Sequence, residues 1–151
     1  MNNRRKQLNS RTAQGGAALL EALIAILIFS IGILAAVGMQ AAAIKNVTDS
    51  KYRTQASFLA NRLIAQMWTD AINVNAYAYP GSGPVPTKIQ TWVSDVNNMP
   101  NATALPPIVT VANATAQGGT VTVQVRWQLA EEKTKNLPPH NYTAVAAIYS
   151  N

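Results

Sequence analysis

The chain contains no cysteine, which excludes thiolate nucleophiles, CxxC redox motifs and thiolate metal sites. It carries one histidine, His140, and six carboxylates, so an active site would have few parts to draw on. Charged residues make up 12% of the composition, about half the usual share, against 48% hydrophobic residues. That balance fits neither a disordered chain nor an ordinary soluble globule. No proline occurs before Pro80, so a long N-terminal stretch holds no obligate helix breaker. No P-loop and no GxGxxG segment is present, and no phosphate-binding loop is indicated. At 151 residues the chain has room for one domain.

What is present begins with charge, and the charge is localised. Arg4, Arg5, Lys6 and Arg11 lie in the first sixteen residues, which hold no acid. Subtracting those four bases from twelve leaves eight against six acids, so the net charge of +6 falls to +2. The basicity belongs mainly to a terminal tag, and no nucleic-acid partner is expected for the body.

After residue 16 the composition switches to AALLEALIAILIFSIGILAAVGM. From Ala22 to Met39 none of the eighteen residues is charged, and Ser30 is the only polar side chain. At the helical rise they span roughly 27 Å, close to a bilayer's ~30 Å hydrocarbon core. Ser30 can return its hydroxyl to a carbonyl one turn back. A membrane helix is the expectation. The basic flank places the N-terminus in the cytoplasm and the rest of the chain beyond the membrane. No cleavage site of the A-x-A kind stands at the end of the run. Small residues, Gly15-Gly16, precede it instead, so a cut there leaves the helix attached.

Glu21 is the one residue that does not belong. An isolated carboxylate in lipid costs at least ~2.5 kcal/mol, so it needs a partner or must be neutral, unless it marks the solvated interface. A cut between Gly16 and Ala17 would create an α-amino group at Ala17, four residues from Glu21, a cation at nearly the same depth.

A basic leader, Gly16, a few apolar residues, Glu21 and a long greasy helix resemble the N-terminus of type IV prepilins. Ile28-Phe29-Ser30-Ile31-Gly32-Ile33-Leu34, followed by Gly38-Met39-Gln40, is similar to minor pilins of the PilV type, the type IV pilus modification proteins. Tyr52 to Gln66, with Ala56, Leu59, Ala60 and Arg62, also reads like that group. The resemblance covers roughly the first 70 residues well and the remainder by general plan. One departure is Ala17, where most pilins place Phe or Met. The resemblance implies cleavage between Gly16 and Ala17 by a prepilin peptidase, N-methylation of Ala17 and a filament-assembly role for Glu21. It also implies partners: other minor pilins, a major pilin and the inner membrane, with the head periplasmic before assembly and on a cell-surface pilus after it.

Beyond the apolar run, Tyr52, Ala56, Leu59, Leu63 and Met67 recur at three- and four-residue steps, an apolar stripe on one helical face. The organisation expected is a cleaved leader over 1–16, a membrane and assembly half of the helix over 17–43, an amphipathic half over 44–79, and a β-rich head over 80–151. Gly32 and Gly38 inside the apolar half read either as close-packing positions or as points of local softness. Tyr79 to Pro86, rich in Pro and Gly, is taken to end the long helix.

In the head, Ile89, Trp92, Val93 and Val96 predict a short helix over 87–97, and Ile108–Ala112 a short strand. Val121, Val123, Val125, Trp127 and Leu129 alternate with polar residues, the clearest strand. Glu131–Asn141 reads as a charged loop containing His140, with Glu131 and Glu132 offset by Lys133 and Lys135. Tyr142–Tyr149 reads as the last strand. The fold class expected is therefore α+β, a long N-terminal helix on a small antiparallel sheet, the general plan of pilin heads.

No chemistry emerges from the spacing. A metal or general-base role for His140 would require Asp or Glu converging from elsewhere, and Asp49, Asp70 and Asp95 are isolated in sequence. Trp68, Trp92 and Trp127 read as core anchors. No catalytic residue, cofactor, metal or small-molecule substrate is expected, and the protein is read as a structural subunit rather than an enzyme. Two other readings stay open. One is a minor pseudopilin of a type II secretion system; the other is a signal-anchored periplasmic binding protein, for which Glu21 and the Gly-terminated leader would have no use.

Overall fold

A computed structural model of the protein describes residues 11–150; residues 1–10 of the basic leader, with Arg4, Arg5 and Lys6, lie outside them. The chain is α+β, with a long N-terminal helix, apolar over its first part, and a three-stranded antiparallel sheet. Two compact units are distinguished, with the division between Val47 and Thr48. Helix α1 (Arg11–Trp68) provides the described part of the first unit and the opening element of the second.

In the second unit the expected stripe is core. Ala56, Leu59, Ala60, Leu63 and Met67 are buried, and Tyr52 packs against them half-buried. Full burial of each large side chain contributes about 1.5–3 kcal/mol. The helix stops at Trp68, eleven residues short of the Pro/Gly cluster that was taken as its end. At that point the Thr69 hydroxyl donates to the Gln66 carbonyl at 2.8 Å, and the Thr69 N–H turns to the same oxygen. Asp70 then accepts from Asn73 and Tyr77 side chains, which holds the chain in a tighter coil. Residues Ala71–Tyr77 form a 3-10 helix, and Ala71, Val74 and Tyr77 are buried. Their three-residue spacing is what an eclipsed 3-10 face requires.

A 3-10 turn (Thr87–Ile89) leads into α2 (Gln90–Val96), which buries Ile89, Trp92, Val93 and Val96 as expected. The Trp92 indole donates to the Leu59 carbonyl at 2.8 Å, and Arg62 pairs with Asp95, so α2 is fastened to α1 twice.

The sheet is a meander in the order β1-β2-β3: β1 (Ile108–Thr115), β2 (Gly118–Trp127), β3 (His140–Tyr149). Along β2, Val121, Val123, Val125 and Trp127 point inward, and the residues between them are half-buried on the other face. Tyr79 bridges to Val109 through two backbone hydrogen bonds of 2.8 Å, tying the loop after α1 to the sheet edge. The β1–β2 turn needs glycine at Gly118. Its φ is 146°, and a Cβ would lie 1.9 Å from the Ile148 carbonyl oxygen.

The stretch read as a charged loop is more ordered than expected. Ala130–Thr134 forms a short helix, α3, and His140 opens β3 rather than sitting in a loop. Glu132 is buried, not exposed. Its carboxylate accepts the Leu129 N–H at 3.1 Å, which satisfies a donor at the start of α3 and draws the side chain inward.

Candidate functional site

The residues singled out in the first unit all lie on α1. Every side chain from Gly16 to Val47 is exposed, including Leu34 at 72% and Phe29 at 69%. Apolar residues occupy all sides of this segment rather than one stripe. Ser30 donates to the Ile26 carbonyl at 2.7 Å, so its hydroxyl is satisfied within the helix. Among the described residues this is the one helix long and apolar enough to cross a membrane, a candidate membrane anchor or signal.

The Gly16–Ala17 bond lies within the helical run. Gly15 and Gly16 each disfavour helix by about 1 kcal/mol relative to Ala. Glu21 is exposed and has no hydrogen-bond or ion-pair partner among the described residues. A Cβ added at Gly32 or Gly38 would meet nothing within 4 Å. The packing of the described residues gives no reason for either glycine.

In the second unit three ionisable side chains from separate elements converge. Asp49 of α1, Glu132 of α3 and His140 of β3 each offer one ligand atom, all within 4.8 Å of one another. His140 lies opposite Trp127 in the β2–β3 register, and the rings stack with centroids 5.5 Å apart. Its Nε2 is 2.8 Å from Glu132 Oε1, while Glu132 Oε2 holds the Leu129 N–H. Asp49 Oδ1 is shielded from solvent and accepts no hydrogen bond. The condition that sequence reasoning set for a role of His140, carboxylates arriving from elsewhere, is met.

Periodicity held the missing signal. Asp49 stands three residues before Tyr52 and so continues the buried stripe backwards. His140 stands two before Tyr142 on the inward face of β3. In both cases a polar residue extends an apolar face by one step beyond the expected stripe or strand.

A second cluster surrounds Asp70, which accepts from Lys88, Asn73 and Tyr77. The Lys88 ammonium above all, then the Asn73 and Tyr77 donors, lower its pKa from 3.8 to about 2. Lys88 is raised in turn by the same bond, and Tyr77 is raised chiefly by burial. Trp68, expected in the core, is 51% exposed and lines a shallow pocket with Ile72 and Tyr149. Trp92 and Trp127 are buried as expected. Compared with protein-family models, with curated proteins and with solved structures, the chain finds no match.

Proposed function

We propose that the protein is a non-catalytic minor pilin: an inner-membrane prepilin trimmed after Gly16 and packed by its helix into a type IV pilus. There it helps prime assembly together with other minor pilins. The observation that carries this reading is the segment from Ala17 to Val47, apolar on all sides and exposed throughout, with one carboxylate near its start. Such a surface is stable in lipid or among like helices, not in water. A simple membrane tether would have no use for Glu21. In an assembly, the Ala17 amine of a neighbouring subunit pairs with it at one helix stagger, and every other stagger leaves both charges unpaired in lipid.

Mass spectrometry of the chain recovered from membranes should find a mature N-terminus at Ala17, N-methylated. A chain retaining Met1, or cut beyond Met39, overturns the assignment. Glu21→Gln should leave insertion and cleavage intact yet sharply reduce the fraction of subunit in sheared pili. If the Gln variant assembles as wild type does, Glu21 only marks the interface and the register argument fails.

A further inference from the structure

We propose that Asp49, Glu132 and His140 form a binding site for one divalent transition-metal ion of the zinc class. The three groups come from α1, α3 and β3, so the constellation exists only in the folded chain. Their ligand atoms lie within 4.8 Å of one another, and around a tetrahedral ion with bonds near 2 Å they would be roughly 3.3 Å apart. Rotamer adjustments of the two carboxylates close that difference, and the 2.8 Å His140–Glu132 contact opens slightly to admit the ion.

Three features point to a cation rather than to a self-contained ionic cluster. Asp49 Oδ1 is shielded from solvent and accepts no hydrogen bond, an arrangement that is costly for a carboxylate oxygen without a positive partner. The imidazole is already oriented, held flat against Trp127 by a stack tilted 13°. Backbone support is present too, since the Leu129 N–H fixes the second oxygen of Glu132.

The donor set selects the class of ion. One imidazole nitrogen with two carboxylate oxygens suits zinc, cobalt or nickel. Calcium takes six to eight oxygen ligands, and magnesium demands octahedral oxygen coordination, so neither is well served. Three protein ligands leave a fourth position for water. Binding would clamp the α3–β3 segment to the start of the head's helix.

The test uses the full, untagged chain in detergent micelles, titrated with zinc chloride by calorimetry and with cobalt chloride by visible absorption. One ion per chain is expected, with a Kd in the micromolar range or tighter and no displacement by millimolar calcium or magnesium. Because His140 is the only histidine, its imidazole resonances report the site without ambiguity, and they should shift on zinc addition. Asp49→Asn and His140→Gln should each weaken binding about tenfold or more. Glu132→Gln keeps an acceptor for the Leu129 N–H and should weaken it as well, with the circular dichroism spectrum unchanged. A wild-type Kd weaker than about 1 mM overturns the proposal. So do imidazole resonances that zinc leaves unmoved, or wild-type affinity in both Asp49→Asn and His140→Gln.

Discussion

Two stretches of one helix handle apolar side chains in opposite ways. From Gly16 to Val47 the side chains of α1 are exposed whatever their chemistry, whereas from Thr48 to Trp68 they are sorted by face. Leu34 is 72% exposed and Leu63 is 0% exposed, although the residue type and the secondary structure are the same. The difference lies in what the rest of the chain supplies. The second stretch has a sheet, α2 and a 3-10 helix whose apolar faces join a single core with it. The first has no such cover, and its surface is suited to lipid or to other helices. A one-sided apolar pattern therefore indicates burial against the chain's own core, whereas an all-round pattern fits a large core or a membrane span.

Removing residues 1–44 breaks the comparison most severely and has the largest expected effect. The truncated chain should dissolve without detergent, run as a monomer in size-exclusion chromatography and unfold at nearly the midpoint of the full-length protein. The reason is that, among the described residues, every buried apolar residue lies from Ala56 onward. A truncated chain that aggregates or melts much earlier would show that the first stretch helps to stabilise the head.

Point substitutions sharpen the contrast within α1. Leu63→Ala deletes a fully buried side chain and should cost about 2–5 kcal/mol in denaturant unfolding of the head. Leu27→Ala, at a position 59% exposed, should leave that unfolding unchanged and act only on membrane insertion or assembly. Equal effects of the two would erase the distinction between the stretches.

Much of this division was legible in the sequence because it rests on periodicity. The stripe from Tyr52 to Met67, the helix around Trp92 and the alternation along β2 as far as Trp127 follow the sequence pattern, since each repeats one burial rule several times; Leu129, expected to continue that strand, instead leads into α3. The end of α1 was not legible. Absence of proline permits a helix to continue but does not require it, and after Trp68 the bonds of Thr69 and Asp70 accompany a tighter coil. The ionisable cluster was hidden for a related reason. Asp49 and Glu132 are 83 residues apart, and their meeting depends on how α3 seats, which no local pattern encodes. Sequence spacing finds ligands that share one element; these three share none.

The smallest expected effect concerns the charges that close the turn after α1, and it tests whether hydrogen bonding there stabilises the head beyond its core. Asp70 is held to about 2 by Lys88 first and by the Asn73 and Tyr77 donors next. Its pKa in the folded chain is thus below its ordinary value of 3.8, so the carboxylate contributes stability above that value. This contribution is lost as the pH falls through about 2. Lys88 behaves in the mirror sense: its pKa is raised, so its contribution is complete below its ordinary 10.5 and fades as the pH climbs through the elevated value. Asp70→Asn should lower the thermal midpoint at pH 7, by far less than Leu63→Ala, because the pair is partly exposed and salt screens it. The gap between variant and wild type should narrow as the pH is taken from 4 to 2, and added salt at pH 7 should narrow it as well. A gap that stays constant across that range would mean that Asp70 acts through the acceptor oxygen that Asn replaces with an NH2 donor, and not through its charge.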